Sequence, residues 1–269
     1  MRTSADVTVR KTSVGKCTKH PNVGANIVRP LEHINTSNHR RNQMKKITVL
    51  FGNYGSGKTE LALNMALTAK QTHGDVTLVD LDIVNPYFRS SEHRAMLEGK
   101  GIRVIAPVYA NTTIDVPSLP PEVNSAFLSE QAIFDCGGDA VGAAALGSLK
   151  NRFDKNRDSV RMLFVINTMR PFQQTLEQLQ SSLAVVQQSA RLGADGFVLN
   201  ANLGKETTGE ELVAGYKIAS QLSKETGIPI QLVSGTQTAL DVFKAACPQF
   251  KGEFFAITTY MRPDWMENT

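Results

Sequence analysis

The feature of this sequence that most restricts its fold is a glycine-rich turn between an apolar strand and a helix. Residues 47–51 (ITVLF) are apolar or β-branched, which is typical of a buried strand, and the stretch GNYGSGKT follows them directly. The spacing of Gly52, Gly57, Lys58 and Thr59 fits the pattern G-x-x-x-x-G-K-[ST]. Apolar residues then recur with helical spacing. Strand, turn and helix in this order predict a loop that binds phosphate.

Each residue type in the turn suits phosphate binding. We expect Gly52, Gly55 and Gly57 to adopt positive φ angles, which brings backbone N–H groups and the positive helix end close to the anion. Lys58 is expected to reach the β- and γ-phosphates, and the Thr59 hydroxyl to bind Mg²⁺. The alternative is a glycine-rich turn with an incidental lysine. The predicted nucleotide-binding residues of the loop are Gly52, Asn53, Tyr54, Gly55, Ser56, Gly57, Lys58 and Thr59, and Lys58 is also predicted to be catalytic.

A second apolar strand ends in two carboxylates. Residues 76–82 read VTLVDLD, so that Asp80 and Asp82 fall at the carboxyl end of the strand. In an open parallel sheet this is the edge at which ligands bind. We therefore predict that one of the two belongs to the Mg²⁺ site and that the other orients the attacking water. The alternative is a pair of solvated loop aspartates.

A third apolar strand ends in Asp135 and is followed by two glycines, in the stretch QAIFDCGGD. An apolar strand that ends in Asp is the usual position of the carboxylate that holds Mg²⁺. We predict that Asp135 binds the metal together with Thr59 and one of the two aspartates of the second strand. The glycines allow a close backbone approach, so Gly138 is predicted to contact the γ-phosphate through its N–H group.

Strands and helices alternate along the rest of the chain. Strands are predicted at 47–51, 76–82, 102–107, 131–135, 161–167, 195–200 and 229–233, and helices at about 58–72, 91–100, 121–130, 139–153, 172–192 and 208–226. This alternation predicts an α/β fold, a mostly parallel β-sheet flanked by helices on both faces, as in P-loop NTPases.

The combination of GNYGSGKT, VDLDIVNPYFR and IFDCGGD resembles the CobQ/CobB/MinD/ParA superfamily of P-loop nucleotide-binding proteins, from Met44 to about Gly235. The resemblance implies that Asp82 is the catalytic residue that helps to activate water, which assigns Asp80 to the Mg²⁺ site, and that Asp135 organises Mg²⁺. It also implies a Mg²⁺-dependent ATPase that acts as a nucleotide-dependent switch on a protein partner, with a nucleotide-dependent homodimer as a further expectation. The alternative function is an ATP-dependent ligase or kinase of small-carboxylate metabolism, similar to dethiobiotin synthetase or CobB.

The sequence departs from the ParA/MinD branch at one position of the loop. Members of that branch carry an extra lysine there, which reaches across a dimer that encloses the nucleotides. Asn53 occupies this position here. The missing positive charge must come from elsewhere or be absent. We therefore expect hydrolysis to be slow or to need a partner.

A later strand ends at Asn200, in the stretch GFVLNANLG. In the superfamily that this chain resembles, an Asn at this strand end contacts the nucleobase, and a side-chain amide can pair with adenine N6 and N7. The guanine-reading motif N-K-x-D needs an Asp where Leu203 stands. The sequence therefore favours ATP, bound through Asn200. The alternative is that Asn200 or Asn202 caps the helix that begins near Thr207.

The basic charge of the chain is concentrated near its N-terminus. Residues 1–43 contain eight Lys or Arg against two acidic residues, whereas the remainder has 21 basic and 23 acidic residues. This segment has no hydrophobic periodicity and is predicted to be a disordered basic extension of a domain at 44–269. Met44, Lys45 and Lys46 directly before a strand are typical of a protein start, so one interpretation is an upstream extension of the reading frame. The alternative is a basic arm for DNA or acidic lipid.

The near-neutral remainder gives no strong sign of nucleic-acid binding, and no apolar run approaches the roughly 20 residues that span a bilayer. The three cysteines have no CxxC spacing. These features predict a cytoplasmic protein without a membrane partner. The aromatic residues of 236–269 are interrupted by Pro248, Gly252 and Pro263, which favours core packing over a membrane-binding amphipathic helix.

Overall fold

The computed structural model describes residues 45–82, 93–106, 119–201 and 207–260. In this part of the chain there are eight β-strands and eight α-helices. The strands are β1 (Ile47–Phe51), β2 (Val76–Leu81), β3 (Ile102–Ile105), β4 (Gln131–Cys136), β5 (Val160–Ile166), β6 (Gly196–Leu199), β7 (Ile230–Gly235) and β8 (Glu253–Ala256). The helices are α1 (Lys58–Lys70), α2 (Arg94–Gly99), α3 (Val123–Ala126), α4 (Ala140–Ser148), α5 (Lys150–Lys155), α6 (Leu176–Ala190), α7 (Gly209–Thr226) and α8 (Gln237–Ala246).

The strands form one sheet in the order β3-β2-β4-β1-β5-β6-β7-β8. Every neighbouring pair in this order is parallel. All carboxyl strand ends therefore lie at the same edge of the sheet. The loop after β1 has the ends of β4 on one side and of β5 on the other, which places the polar strand-end residues of both around it.

Two apolar cores cover the two faces of the sheet. On one face Ile47, Val49 and Phe51 belong to a cluster with residues of helices α3 to α8. On the other face Leu50 packs with residues of α1 and α2. Because both faces are covered, the strands read as continuous apolar runs rather than as an alternation of apolar and polar residues. The predicted α/β fold, with helices on both faces of a parallel sheet, is confirmed.

Most helix boundaries fall close to the predicted ones. The helix expected at 208–226 is α7, where Thr208 and Glu211 form a capping box. The helix expected at 139–153 is divided into α4 and α5 at Leu149. The one expected at 172–192 begins later, at Leu176, after a turn in which Phe172 has a φ of 63°.

Helix α8 and strand β8 were not predicted. Phe243 of α8 packs edge to face against Phe250 and Phe254, and β8 extends the sheet by pairing with β7. The predicted core packing of these C-terminal aromatic residues is confirmed. Trp265 lies outside the described residues, as do the predicted N-terminal extension and Met44. Among the residues that the structure describes, none of the helices combines the length and apolarity needed to span a membrane.

The segment after β8 is attached to α1. The side chain of Asn64 donates to the carbonyl of Thr258 and accepts from its N–H group, both at 2.8 Å. The Glu60 carboxylate accepts from the N–H group of Tyr260 at 2.7 Å. Glu60 and Asn64 are both buried. These bonds connect the last described residues to the first two turns of the helix that follows the glycine-rich loop.

Candidate functional site

The loop between β1 and α1 has the backbone conformation that its glycines predict. Gly52, Gly55 and Gly57 have φ angles of 142°, 74° and 86°, which confirms the expected positive values. A Cβ atom on Gly52 would lie 2.6 Å from the Val165 carbonyl oxygen, and one on Gly57 would lie 2.2 Å from Nδ2 of Asn200. Glycine is therefore required at both ends of the loop by conformation and by space.

Lys58 begins α1 and folds back over the loop. Its Nζ atom donates a hydrogen bond of 2.8 Å to the carbonyl of Asn53. The residue is buried, and burial lowers the pKa of Lys58 below its ordinary value, while Asp135 and Asp82 oppose that shift. The ammonium group thus lies beside the loop and among the carboxylates that the sequence singled out.

Those carboxylates converge at the carboxyl edge of neighbouring strands. Asp80 and Asp135 are paired in register on β2 and β4, and both side chains are buried. The N–H group of Asp82 donates to Oδ1 of Asp80 at 2.9 Å. The structure therefore brings the predicted metal ligands Asp80 and Asp135 together with the predicted catalytic Asp82.

Asp135 has the character expected of a metal ligand. Neither of its side-chain oxygens has a hydrogen-bond partner of ordinary geometry among the described residues, although both are buried. Burial raises the pKa of Asp135 well above its ordinary value and Asp80 raises it further, while Lys58 and the nearby Thr59 hydroxyl lower it. A buried carboxylate in this situation requires a cation or a proton.

The donor set fits Mg²⁺ bound with phosphate and water. Across residues 45–82, 93–106, 119–201 and 207–260, no group of three or more His, Cys, Asp or Glu residues is arranged to hold a metal ion by itself. Magnesium seldom uses such an all-protein cage, because it keeps several water ligands and binds through one or two carboxylates and substrate phosphates. Thr59 and Asp135 supply protein donors of this kind.

The turn after β4 lies directly against the glycine-rich loop. A Cβ atom on Gly138 would lie 2.3 Å from the backbone nitrogen of Tyr54, and one on Gly137 would lie 3.3 Å from Oδ1 of Asp82. Asp139 fixes the end of this turn by accepting a hydrogen bond of 2.7 Å from the N–H group of Gly142 at the start of α4. Gly138 is thus placed beside the loop, and its contact with a γ-phosphate stays a prediction.

Asn53, the residue in the position of the ParA/MinD lysine, is hydrogen-bonded to a residue of α6. Its Oδ1 atom accepts a hydrogen bond of 2.5 Å from the Ser182 hydroxyl. Tyr54, the next residue, is 63% exposed. The first half of the loop therefore presents a large aromatic side chain to the surface and no positive charge.

Two polar side chains that sequence analysis did not assign to the site donate hydrogen bonds to carbonyl groups of the loop. Asn167, at the end of β5, donates through Nδ2 to the carbonyl of Gly55, and Gln173 donates through Nε2 to the carbonyl of Tyr54, both at 3.4 Å. The Oε1 atom of Gln173 accepts from the N–H group of Asn167 at 3.0 Å. The strand-end position of Asn167 was visible in the sequence, whereas nothing local distinguishes Gln173, which is buried, from the other glutamines of the chain.

Asn200 is also part of this support. It is 1% exposed. Its Nδ2 atom donates to the carbonyl of Ser56 at 2.8 Å, and its Oδ1 atom accepts from the Ser234 hydroxyl at 2.9 Å. The predicted contact with a nucleobase would require both bonds to break. Capping of the next helix by Asn200 is wrong, because α7 is capped by Thr208.

Comparisons with known proteins give a likeness of fold only. Crystal structures of FtsY are similar: the cell division protein FtsY from Thermotoga maritima is 18% identical, with 72% of this chain and 63% of that chain covered at a TM-score of 0.47. FtsY from Mycoplasma mycoides is 16% identical, with 74% and 64% covered at a TM-score of 0.49. This chain spans less than two thirds of the length of these two structures. No family model and no curated protein matches the sequence.

The class of protein is defined by the sheet and the loop themselves. A parallel sheet has at its carboxyl edge a glycine-rich loop of the G-x-x-x-x-G-K-[ST] type, between β1 and α1, with strand-end carboxylates beside it. This is the P-loop NTPase fold. The finer likeness to the CobQ/CobB/MinD/ParA superfamily stays an interpretation of the sequence motifs.

Proposed function

We propose that this chain is a Mg²⁺-dependent ATP-binding protein that hydrolyses ATP and acts as a nucleotide-dependent switch on a protein partner, as the likeness of its motifs to the CobQ/CobB/MinD/ParA superfamily implies. One observation carries the proposal. The lysine of the loop, Lys58, is buried close to Asp82 and Asp135, so a cation and two carboxylates lie together beside the positive-φ glycines of the loop.

Each residue of the candidate site has a different role in the proposed reaction. Lys58 exchanges the carbonyl of Asn53 for phosphate oxygens, which present more negative charge. Thr59 and Asp135 would hold Mg²⁺, with Asp80 next to them, and the ion would neutralise charge on the phosphates. Asp82 orients the attacking water as a general base. The N–H group of Gly138, in the turn after β4, approaches the terminal phosphate.

The choice of ATP over GTP rests on the sequence around the sixth strand. The guanine-reading motif would need an Asp at Leu203, a residue outside the described part of the chain. Because the amide of Asn200 is already bonded to Ser56 and Ser234, the adenine contact predicted for it no longer supports the choice. Binding experiments must therefore include GTP.

The surface around the loop supports a switch that contacts a partner. Tyr54 is 63% exposed and Phe172 is 75% exposed. Tyr54 lies in the loop itself, and Phe172 directly precedes Gln173, whose side chain donates a hydrogen bond to the carbonyl of Tyr54. Nucleotide exchange in the loop would alter the surroundings of the exposed Tyr54 side chain. The partner is a different protein or, in a nucleotide-dependent homodimer, a second copy of this chain, in the cytoplasm.

Titration calorimetry with ATP, GTP and ADP, each with and without Mg²⁺, tests the binding proposal, and phosphate release tests hydrolysis. We expect Mg²⁺-dependent binding that is tighter for ATP than for GTP, with slow turnover. Absence of binding to either triphosphate would refute the proposal. A small carboxylate consumed in equal amount with ATP would favour the ligase or kinase alternative. Pull-downs with ATP-bound Asp82→Ala protein and with the ADP-bound state would identify a partner.

A further inference from the structure

Side chains from outside the loop hold three successive carbonyl groups of the loop. The carbonyls of Tyr54, Gly55 and Ser56 accept hydrogen bonds from the side-chain amides of Gln173, Asn167 and Asn200, respectively. The first two bonds are long, at 3.4 Å. The third, from Asn200, is 2.8 Å, which is within the ordinary range. Asn200 therefore makes the strongest of the three contacts.

Holding the carbonyls also orients the N–H groups. In a trans peptide unit the C=O and N–H bonds point in opposite directions. The carbonyls of Gly55 and Ser56 are directed toward the ends of β5 and β6, so the following N–H groups, of Ser56 and Gly57, point away from these strands. The N–H group of Ser56 also makes a turn contact of 3.3 Å with the carbonyl of Asn53. The N–H group of Gly57 lies next to Lys58, where an anion would be bound.

Two independent contacts fix the position of the Asn200 amide itself. The Ser234 hydroxyl donates to its Oδ1 atom at 2.9 Å, which leaves Nδ2 directed at the loop. In addition, Nδ2 fills the space in which a side chain on Gly57 would stand, at 2.2 Å from the ideal Cβ position. Asn200 thus packs against the loop as closely as glycine allows, in a buried place where a nucleobase has no room unless the amide moves.

We propose that Asn200 is a positioning residue for the triphosphate. It acts by holding the backbone of the loop that binds the phosphates, and it does not contact the base. This inference rests on the proposed function. Asn167 and Gln173 complete the same support for the preceding two carbonyls. The ligand feature recognised through Asn200 is therefore the phosphate chain, which ATP, GTP and inorganic tripolyphosphate share.

Inorganic tripolyphosphate tests the inference because it has no base. Calorimetry compares wild type and Asn200→Ala against Mg-ATP and Mg-tripolyphosphate. The control is Asn156→Ala, since Asn156 is a half-buried residue after α5 whose amide likewise donates to a backbone carbonyl, that of Arg152. We expect the affinities of Asn200→Ala for both ligands to fall by the same factor, about 10-fold or more, as for loss of one buried hydrogen bond. The control should bind both ligands like the wild type.

Each of the other possible results of this experiment leads to a different conclusion. Weaker ATP binding with unchanged tripolyphosphate binding would show that Asn200 reads the base and would overturn the inference, as would unchanged affinity for both ligands. Failure of the wild type to bind either ligand would refute the proposed function instead. A purely structural role would lower Tm without changing affinity. If Asn200→Ala does not fold, Asn167→Ala, which removes the neighbouring bond to Gly55, undergoes the same comparison.

Discussion

Asp80 and Asp135 occupy paired positions on the adjacent parallel strands β2 and β4, and each is only 1% exposed. Two acids that share a buried region cannot both ionise without a compensating cation. Burial raises the pKa of Asp135, Asp80 adds to the rise, and Lys58 opposes it. Burial and Asp80 thus favour the protonated form of Asp135, whereas a cation beside the pair favours the ionised form.

We expect Asp135→Asn to stabilise the metal-free protein, and we expect this stabilisation to increase as pH rises. The folded-state pKa of Asp135 is raised, so the stability associated with its proton is present below the unfolded-state pKa and is lost as pH rises through the folded-state pKa. Asparagine does not ionise. Its advantage in Tm should therefore grow from mildly acidic to alkaline pH, by about 2–4 °C for each ~1 kcal/mol. Thermal unfolding followed by circular dichroism measures this, with exposed Asp241→Asn as the control. A pH-independent difference would contradict the buried ionisation.

Lys58→Ala should weaken Mg-ATP binding by at least about 100-fold, because a buried charged contact with phosphate contributes about 3 kcal/mol. Calorimetry provides the measurement. Lys70→Ala is the matched control, since Lys70 lies at the opposite end of the same helix and donates to the carbonyl of Gly74. Unchanged affinity in Lys58→Ala would end the assignment of the phosphate-binding loop.

Asp82→Ala should retain ATP binding but slow hydrolysis by ~10² or more, the scale of losing a positioned general base. Asp75→Ala is the control, because Asp75 is exposed at the opposite end of the same strand. Single-turnover phosphate release at saturating ATP separates the chemical step from binding. Equal rates in the variant and the wild type would remove Asp82 from the mechanism.

Gly57→Ala should destabilise the protein more than Gly227→Ala does. Both glycines have positive φ angles, 86° and 72°, so each substitution costs roughly 1–2 kcal/mol of backbone strain. The Cβ atom has open space at Gly227 but would meet Asn200 at Gly57. Urea denaturation gives the two free energies of unfolding. Adding Asn200→Ala to Gly57→Ala should restore part of the loss, and a lack of restoration would show that the amide is not the obstacle.

Deleting residues 1–43 should leave ATP hydrolysis unchanged. This segment contains no residue of the candidate site, and its sequence lacks the hydrophobic periodicity of a packed element. A truncated protein that begins at Met44 is compared with the full chain in steady-state phosphate release. Loss of activity would show instead that the basic segment contributes to the site.

Local sequence patterns were enough to predict seven of the eight described strands, the glycine-rich loop and the candidate site residues at the strand ends. Continuous apolar runs such as 131–136 form strands because both faces of the sheet are covered. Gly52, Gly55 and Gly57 have positive φ because glycine, which lacks a Cβ atom, adopts this conformation without steric cost. These are local consequences of residue type and spacing.

The hydrogen bonds that side chains at the ends of β5 and β6 make to the loop depend on the tertiary structure. Asn167 and Asn200 reach the carbonyls of Gly55 and Ser56 because β5 lies next to β1 in the sheet and β6 lies next to β5, an order that no single segment encodes. An asparagine at a strand end can cap a helix, contact a base or support a loop. Which of these it does depends on the groups that sheet packing brings within hydrogen-bond distance of its amide.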